Sequence, residues 1–422
     1  MSSGNLLVAQ GGGPTAVINC SLVGAIQEAK CAASGKIGMI TGALHGVDGI
    51  LNGQIIELGS ETSQTLRLIC HKPGAALGSC RRKMEEVDYG RIIEAFRKHN
   101  VRFFLYIGGN GSMYTADKVD RLARSVGYEL SVVGIPKTID NDLAYTDHCP
   151  GYGSAARYFA SITREIGLDV ESLPPPISVI ETLGRNTGWL AAASSLAKVN
   201  EDDAPNLIYV PEKVLNIDRF LSDVSNVYDK IGRAVVVVSE GLKDESGSYL
   251  GGVRAEASRD GFGRGLPGGA ASYLAEQISV RLKIRARSEK PGLAARTGIE
   301  YVSQTDQKEA QLVGRAAVGS ALKGDSGVMM TLDRQPGGKY RCIVGAVPLD
   351  KVAIAEKVLP DEFIDTKSNF ITEAFLNYCR PLVGGPIKPF GSLALNKVTL
   401  LAGRGDAAFA SSASAQVSGE KA

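Results

Sequence analysis

VRFFLYIGGNGS, residues Val101–Ser112, opens with an apolar run broken only by Arg102 and stops at two glycines. A run of this kind without polar alternation fits a strand buried on both faces, and the stretch after it predicts a helix from about Met113 to Ser125. The arrangement has a counterpart upstream. NLLVAQ (Asn5–Gln10) reads as a strand ending at Gly11-Gly12-Gly13, and VINCSLVGAIQEAK then carries Val17, Leu22 and Ile26 at helical spacing. SVVGIPKTIDND (Ser131–Asp142) predicts a third strand entering a polar turn, and ISVIETLGR (Ile177–Arg185) a fourth. Leu207–Val210 and Ala234–Ser239 add two more. Buried β-branched runs alternating with helices predict an α/β chain with a parallel sheet, whose ligands bind beyond the carboxyl ends of the strands.

Composition narrows the functional classes. The chain has 422 residues, 44% hydrophobic and 22% charged, enough for two or three domains. Lys and Arg number 47 against 45 Asp and Glu, a net charge of +2, so no field for nucleic acid or an anionic membrane is expected. No run approaches eighteen apolar residues, and the opening MSSGNLLVAQGGG lacks a basic region followed by an apolar core; neither a membrane span nor a secretory leader is predicted. Seven cysteines without CxxC spacing read as reduced thiols of a cytoplasmic protein. Fifty glycines exceed the usual share of roughly 7% and show no collagen-like period. They belong where the backbone turns tightly or approaches another group.

Two glycine clusters, Gly11–Gly13 and Gly108–Gly111, stand at strand-to-helix junctions, where free amides and the helix dipole favour anions. Neither matches a nucleotide fingerprint, and each alone reads equally as a phosphate site or a tight turn. Together they suggest a polyphosphate or two phosphorylated ligands. Pro136-Lys137-Thr138-Ile139-Asp140-Asn141-Asp142 places two carboxylates two residues apart at a strand end. One could serve as a base toward a hydroxyl and the other hold a divalent cation, with Lys137 as a point charge for phosphate; a solvated Asx-rich turn is the competing reading. Gly184-Arg185 and Glu240 close two further strands and fit a sugar phosphate. His148 and Trp189, nearby, read as packing.

In combination and in order, these residues resemble the phosphofructokinase superfamily from about residue 5 to residue 350. The donor loop is similar to Gly108–Ser112, and Thr138–Asp142 reproduces the family's T-I-D-N-D. Leu183-Gly184-Arg185 stands for its M-G-R, Gly78-Ser79-Cys80-Arg81 for its G-S-x-R, and Glu240 for its sugar-binding glutamate. The resemblance implies two Rossmann-like three-layer α/β domains with mainly parallel sheets and the active site in the cleft between them. Residues 1–150 would bind the donor and 151–300 the sugar phosphate, while 301–403 pack back on both and 404–422 form a flexible tail. It implies that Asp140 takes the proton from O1 of fructose 6-phosphate while Lys137 and Thr138 stabilise the moving phosphoryl group. Gly13, Arg81, Gly111 and Ser112 would line the donor site. Thr138, Asp140, Leu183, Gly184, Arg185, Glu240 and Arg296 would hold the sugar, with Arg287 matching an arginine supplied by a neighbouring subunit. Mg²⁺ would sit at Asn110 and Asp142, and the enzyme would be a cytoplasmic homodimer or homotetramer.

Four departures bear on specificity. Asn110 replaces a magnesium-associated carboxylate. Gly111 stands where pyrophosphate users commonly carry an aspartate, leaving room for ATP. Pro176 and Leu293 replace residues that are often basic, and histidine or tyrosine, respectively. Chain length and sequence style resemble the pyrophosphate branch, so the expected donor is pyrophosphate and the alternative ATP. Another sugar acceptor, such as sedoheptulose 7-phosphate, and a non-catalytic sugar-phosphate-binding regulatory subunit are the remaining readings.

Overall fold

The chain folds around two sheets, seen in a computed structural model that describes residues 3–32, 35–173, 177–252, 268–391 and 393. The first sheet holds β1 (Gly4–Gln10), β2 (Ile37–Ala43), β3 (Ile55–Glu57), β4 (Val101–Gly108), β5 (Ser131–Pro136), β10 (Val328–Arg334) and β11 (Cys342–Pro348). Their order is β11-β10-β5-β4-β1-β2-β3. The five inner strands run parallel, and only the edge strands β3 and β11 are antiparallel. The second sheet is wholly parallel, in the order β7-β8-β6-β9, from β6 (Ile177–Thr182), β7 (Leu207–Tyr209), β8 (Ala234–Ser239) and β9 (Ala286–Glu289).

Burial on both faces follows from the pleat. Leu6, Val8, Phe103, Leu105 and Ile107 pack with helices Ile18–Cys31 and Gln304–Lys323. The intervening Leu7, Ala9, Phe104 and Tyr106 pack with helices Glu86–Lys98 and Asn110–Ser125 on the other face. Adjacent side chains thus enter different cores, which is why β1 and β4 read as continuous apolar runs. The second sheet repeats this, with Ile180, Val235 and Val237 on one face and Val179, Val236 and Val238 on the other.

Helix Gln304–Lys323 ties the late sequence to both lobes. It covers the first sheet through Val313, Ala317 and Ala321. Its Asp306 accepts from the amides of Gly151 (2.8 Å) and Ser154 (2.9 Å), at the head of helix Tyr152–Ser172 in the second lobe. It also meets helix Ile18–Cys31 backbone to backbone, where a Cβ on Gly314 would overlap the Ser21 carbonyl oxygen and one on Gly24 that of Gln311. Gly314→Ala is therefore expected to destabilise the protein by about 1–3 kcal/mol through overpacking, read as a lower Tm.

The sequence reading is met at β1, β4, β5, β6, β7 and β8, whereas it leaves β2, β3, β9 and the returning pair β10–β11 unread. The helix expected from Met113 begins at Asn110 instead. All seven cysteines are free, and among the described residues no helix is long and apolar enough to cross a membrane. Pro176 and the segment 404–422 lie outside the described residues. Of the separate unit Lys388–Ala422, only 388–391 and 393 are described, without helix or strand.

Candidate active site

Strand order positions the site. The chain leaves β1 for β2 on one side and reaches β4 on the other, so the carboxyl ends of β1 and β4 form a switch point with a crevice beyond it. Gly11–Gly13 leave β1 there and Gly109–Ser112 leave β4, with the Gly11 amide donating to the Ile107 carbonyl at 2.8 Å. Because the helix starts at Asn110, Asn110, Gly111 and Ser112 occupy its first turn and its positive end faces the crevice.

The cleft between the lobes has a volume of about 300 Å³. Its walls bring together Gly13, Arg81, Asn110, Gly111, Ser112, Lys137, Thr138, Asp140, Asp142, Leu183, Arg185, Glu240 and Arg296. Gly184 adjoins it, its amide donating to Glu240 Oε1 at 3.3 Å. Arg287 lies elsewhere, 3.4 Å from Asp169 in a separate hollow with Glu165 and Glu289. Leu293 is exposed. His148 and Trp189 are buried outside the cleft, His148 between Asp147 (2.8 Å) and Glu309 (2.7 Å), Trp189 against Tyr152, Phe363, Phe375 and Tyr378.

Three cations meet at the first glycine loop. A Cβ added to Gly13 would lie 3.1 Å from Arg81 Nη2 and 3.3 Å from Arg296 Cζ, and one on Gly12 would lie 3.3 Å from Lys137 Nζ. Only a bare backbone lets the three approach so closely. Lys137 is buried at the end of β5 and donates to the Gly13 carbonyl at 2.6 Å. Burial, reinforced by the positive charge of Arg296, pulls its pKa down to about 8.

The carboxylates stand on the turn after β5. The Asp140 amide donates to Thr138 Oγ1 (3.1 Å) and its carbonyl accepts from Thr187 Oγ1 (3.1 Å), so the turn is fixed through the backbone and the carboxylate is left to the cleft. Burial, then the neighbouring Asp142, raises the proton affinity of Asp140 above the usual carboxylate range. Burial likewise raises Glu240. Asn110 Nδ2 donates to Asp142 Oδ2 at 2.9 Å, while Asn110 Oδ1 and Asp142 Oδ1 are buried without a hydrogen-bond partner. Unpartnered buried oxygens on two residues that touch each other suit a small divalent cation.

Known proteins resemble the chain over most of its length. The phosphofructokinase profile matches residues 5–320. The chain belongs to the phosphofructokinase family. It is 41% identical to the pyrophosphate–fructose 6-phosphate 1-phosphotransferase of Xanthomonas campestris pv. campestris strain B100, covering 91% of this chain and 93% of that one. It is 32% identical to the sulfofructose kinase of Alkalicoccus urumqiensis, over 86% and 92%. The crystal structure of pyrophosphate-dependent phosphofructokinase from Marinobacter aquaeolei superposes with a TM-score of 0.82 at 35% identity, covering 94% and 95%.

Several wall residues carried no sequence signal. Thr187 and Asn186 follow the Leu183–Arg185 motif but carry no pattern of their own. Glu356 lies beyond the stretch of resemblance; an antiparallel bridge with Leu143 brings it in, and it accepts from Asn186 Nδ2 at 2.9 Å. Arg82, next to Arg81, is taken up by Asp88, which it contacts at 3.1 Å through both Nε and Nη2.

Proposed function

We propose that the protein is a magnesium-dependent phosphotransferase that carries a phosphoryl group from pyrophosphate to O1 of fructose 6-phosphate, forming fructose 1,6-bisphosphate in glycolysis. The observation that carries this reading is the convergence of Lys137, Arg81 and Arg296 on Gly12–Gly13 in one cleft with Asp140 and Asp142. Phosphoryl transfer asks a protein for alignment and charge neutralisation rather than covalent machinery. Gly13, Arg81, Gly111 and Ser112 hold the donor. Leu183, Gly184, Arg185, Glu240 and Arg296, with Thr138, hold the sugar phosphate. Asp140 takes the O1 proton as O1 bonds to the terminal phosphorus, and the bridging P–O bond breaks to release phosphate. Its raised proton affinity suits a base working near neutral pH. Lys137 and Thr138 face the phosphoryl group as it moves.

Asn110 and Asp142 would hold Mg²⁺, the ion their unpartnered oxygens fit. Bound there it neutralises charge on the donor. Arg287, beside Asp169 outside this cleft, would serve the cleft of a second copy in a homodimer or homotetramer. The free thiols suit the cytoplasm. Purified protein given pyrophosphate, Mg²⁺ and fructose 6-phosphate is expected to form sugar bisphosphate and phosphate in equal amounts, with no turnover under chelation.

A second donor, ATP, is favoured by one feature. A hollow of about 480 Å³ adjoins Asn110, Gly111 and Thr115 and is lined by Met84, Tyr89 and Tyr114, surfaces that suit a nucleoside. The names of the Xanthomonas relative and the Marinobacter structure support pyrophosphate. Initial rates with each donor, for wild type and Gly111→Asp, separate the two. Pyrophosphate is expected to support turnover in both proteins. Robust ATP use by wild type that the aspartate abolishes would reverse the assignment. A panel of sugar phosphates with a sulfonated sugar, prompted by the Alkalicoccus relative, fixes the acceptor.

A further inference from the structure

Asn141 lies between the two carboxylates with φ +54°, in the left-handed region that non-glycine residues seldom enter. It carries the reversal of the turn between Asp140 and Asp142, both of which line the cleft. Something has to hold it there. The Asn141 side chain is held at both its oxygen and its nitrogen: Oδ1 accepts from the Cys149 amide (3.1 Å) and Lys357 Nζ (3.2 Å), and Nδ2 donates to Tyr378 Oη (2.9 Å).

Lys357 does more than meet Asn141. Its buried ammonium also donates to the carbonyls of Thr146 (3.1 Å) and Asp147 (2.8 Å), so all three of its donor directions are used. It stands 5.2 Å from the Trp189 ring centroid. Its backbone amide donates to the Asp142 carbonyl at 2.8 Å, and its own carbonyl accepts from Trp189 Nε1 at 3.2 Å. Tyr378 Oη in turn donates to the Asp147 carbonyl at 2.8 Å. The Asn141 side chain and the Asp142 end of the reversal are therefore gripped by a segment downstream of the matched residues 5–320.

We infer that Lys357, assisted by Tyr378, is a positioning residue for phosphoryl transfer: it fixes Asn141 in the left-handed conformation and so aims Asp140 and Asp142 into the cleft. Neither residue belongs to the cleft wall; each acts through Asn141. The inference deepens the phosphotransferase reading and rests on it. It assigns a role in the reaction to a part of the chain that carries none of the family motifs.

The test uses the full chain with pyrophosphate, Mg²⁺ and fructose 6-phosphate. Lys357→Met keeps the length of the side chain and removes its charge, whereas Tyr378→Phe deletes one hydroxyl. Misaimed carboxylates are expected to lower kcat by about 10- to 100-fold in Lys357→Met and about 3- to 10-fold in Tyr378→Phe. The KM for fructose 6-phosphate should stay within about two-fold, and the Mg²⁺ concentration giving half-maximal rate should rise in both. A merely structural role would lower Tm and leave kcat per folded molecule and the Mg²⁺ requirement unchanged. If Lys357→Met does not fold, Tyr378→Phe decides alone. Folded variants with wild-type kcat and Mg²⁺ requirement overturn the inference while the enzyme reading stands. A wild type without turnover overturns both.

Discussion

Asp140→Asn is expected to lower kcat by about two to four decades while fructose 6-phosphate still binds, the behaviour of a site that has lost its general base. The substitution is clean for a structural reason. The turn is held by the Asp140 amide and carbonyl, through Thr138 and Thr187, so exchanging one carboxylate oxygen for an amide removes none of those bonds. Removing one of two neighbouring carboxylates also relieves repulsion with Asp142, so stability should not fall. Steady-state kinetics with calorimetric binding of the sugar phosphate separates the two quantities. Equal turnover in variant and wild type would favour the sugar-phosphate-binding regulatory reading.

Lys137→Met should reduce kcat by about two to three decades, comparable to deleting a donor aimed at developing charge elsewhere. Methionine fills the buried space at the end of β5 but offers no charge where Arg81, Arg296 and the glycine loop converge. Its effect belongs in kcat. A rise in KM for the donor with kcat unchanged would mean that Lys137 binds ground state and transition state alike. A pH profile supplies an independent check. The ammonium is the working form and it is present below about 8, so kcat/KM for the donor should decline as pH rises through that value. A profile flat to well above 8 would remove the lysine from that role.

Much of this arrangement was readable from residues alone, for identifiable reasons. Strands buried on both faces need an apolar side chain at nearly every position, so β1, β4, β5, β6 and β8 stand out, and glycines at their ends mark the switch point. β2 escaped because IGMITGA is buried only in its second half and is built partly from glycine and threonine. The pair β10–β11 escaped because its place in the first sheet is decided by helix Gln304–Lys323 packing back on β1 and β4, a contact no local pattern encodes. The expected start of the helix after β4 is three residues late because Asn110, Gly111 and Ser112 read as loop. In the site, Asp140, Lys137 and Arg185 announce themselves by charge at strand ends, whereas Arg81 and Arg296 lie away from strand ends and are marked only by the family resemblance. Glu356 and Lys357 do not, being ordinary charged residues in an unpatterned stretch until the bridge to Leu143 carries them to the turn. Arg287 bears a charge of the same kind but sits beside Asp169, away from the cleft.

The central claim is that this cleft moves a phosphoryl group from a diphosphate to a sugar hydroxyl. Its most direct test is isotopic: pyrophosphate labelled with ³²P, unlabelled fructose 6-phosphate and Mg²⁺ are incubated with wild type and with Asp140→Asn, and the sugar products are separated. The account predicts label on the 1-position of a fructose bisphosphate with wild type, lost on chelation of the metal and reduced at least a hundredfold in the variant. Sugar that binds to wild type yet never acquires label from pyrophosphate or from labelled ATP would contradict it.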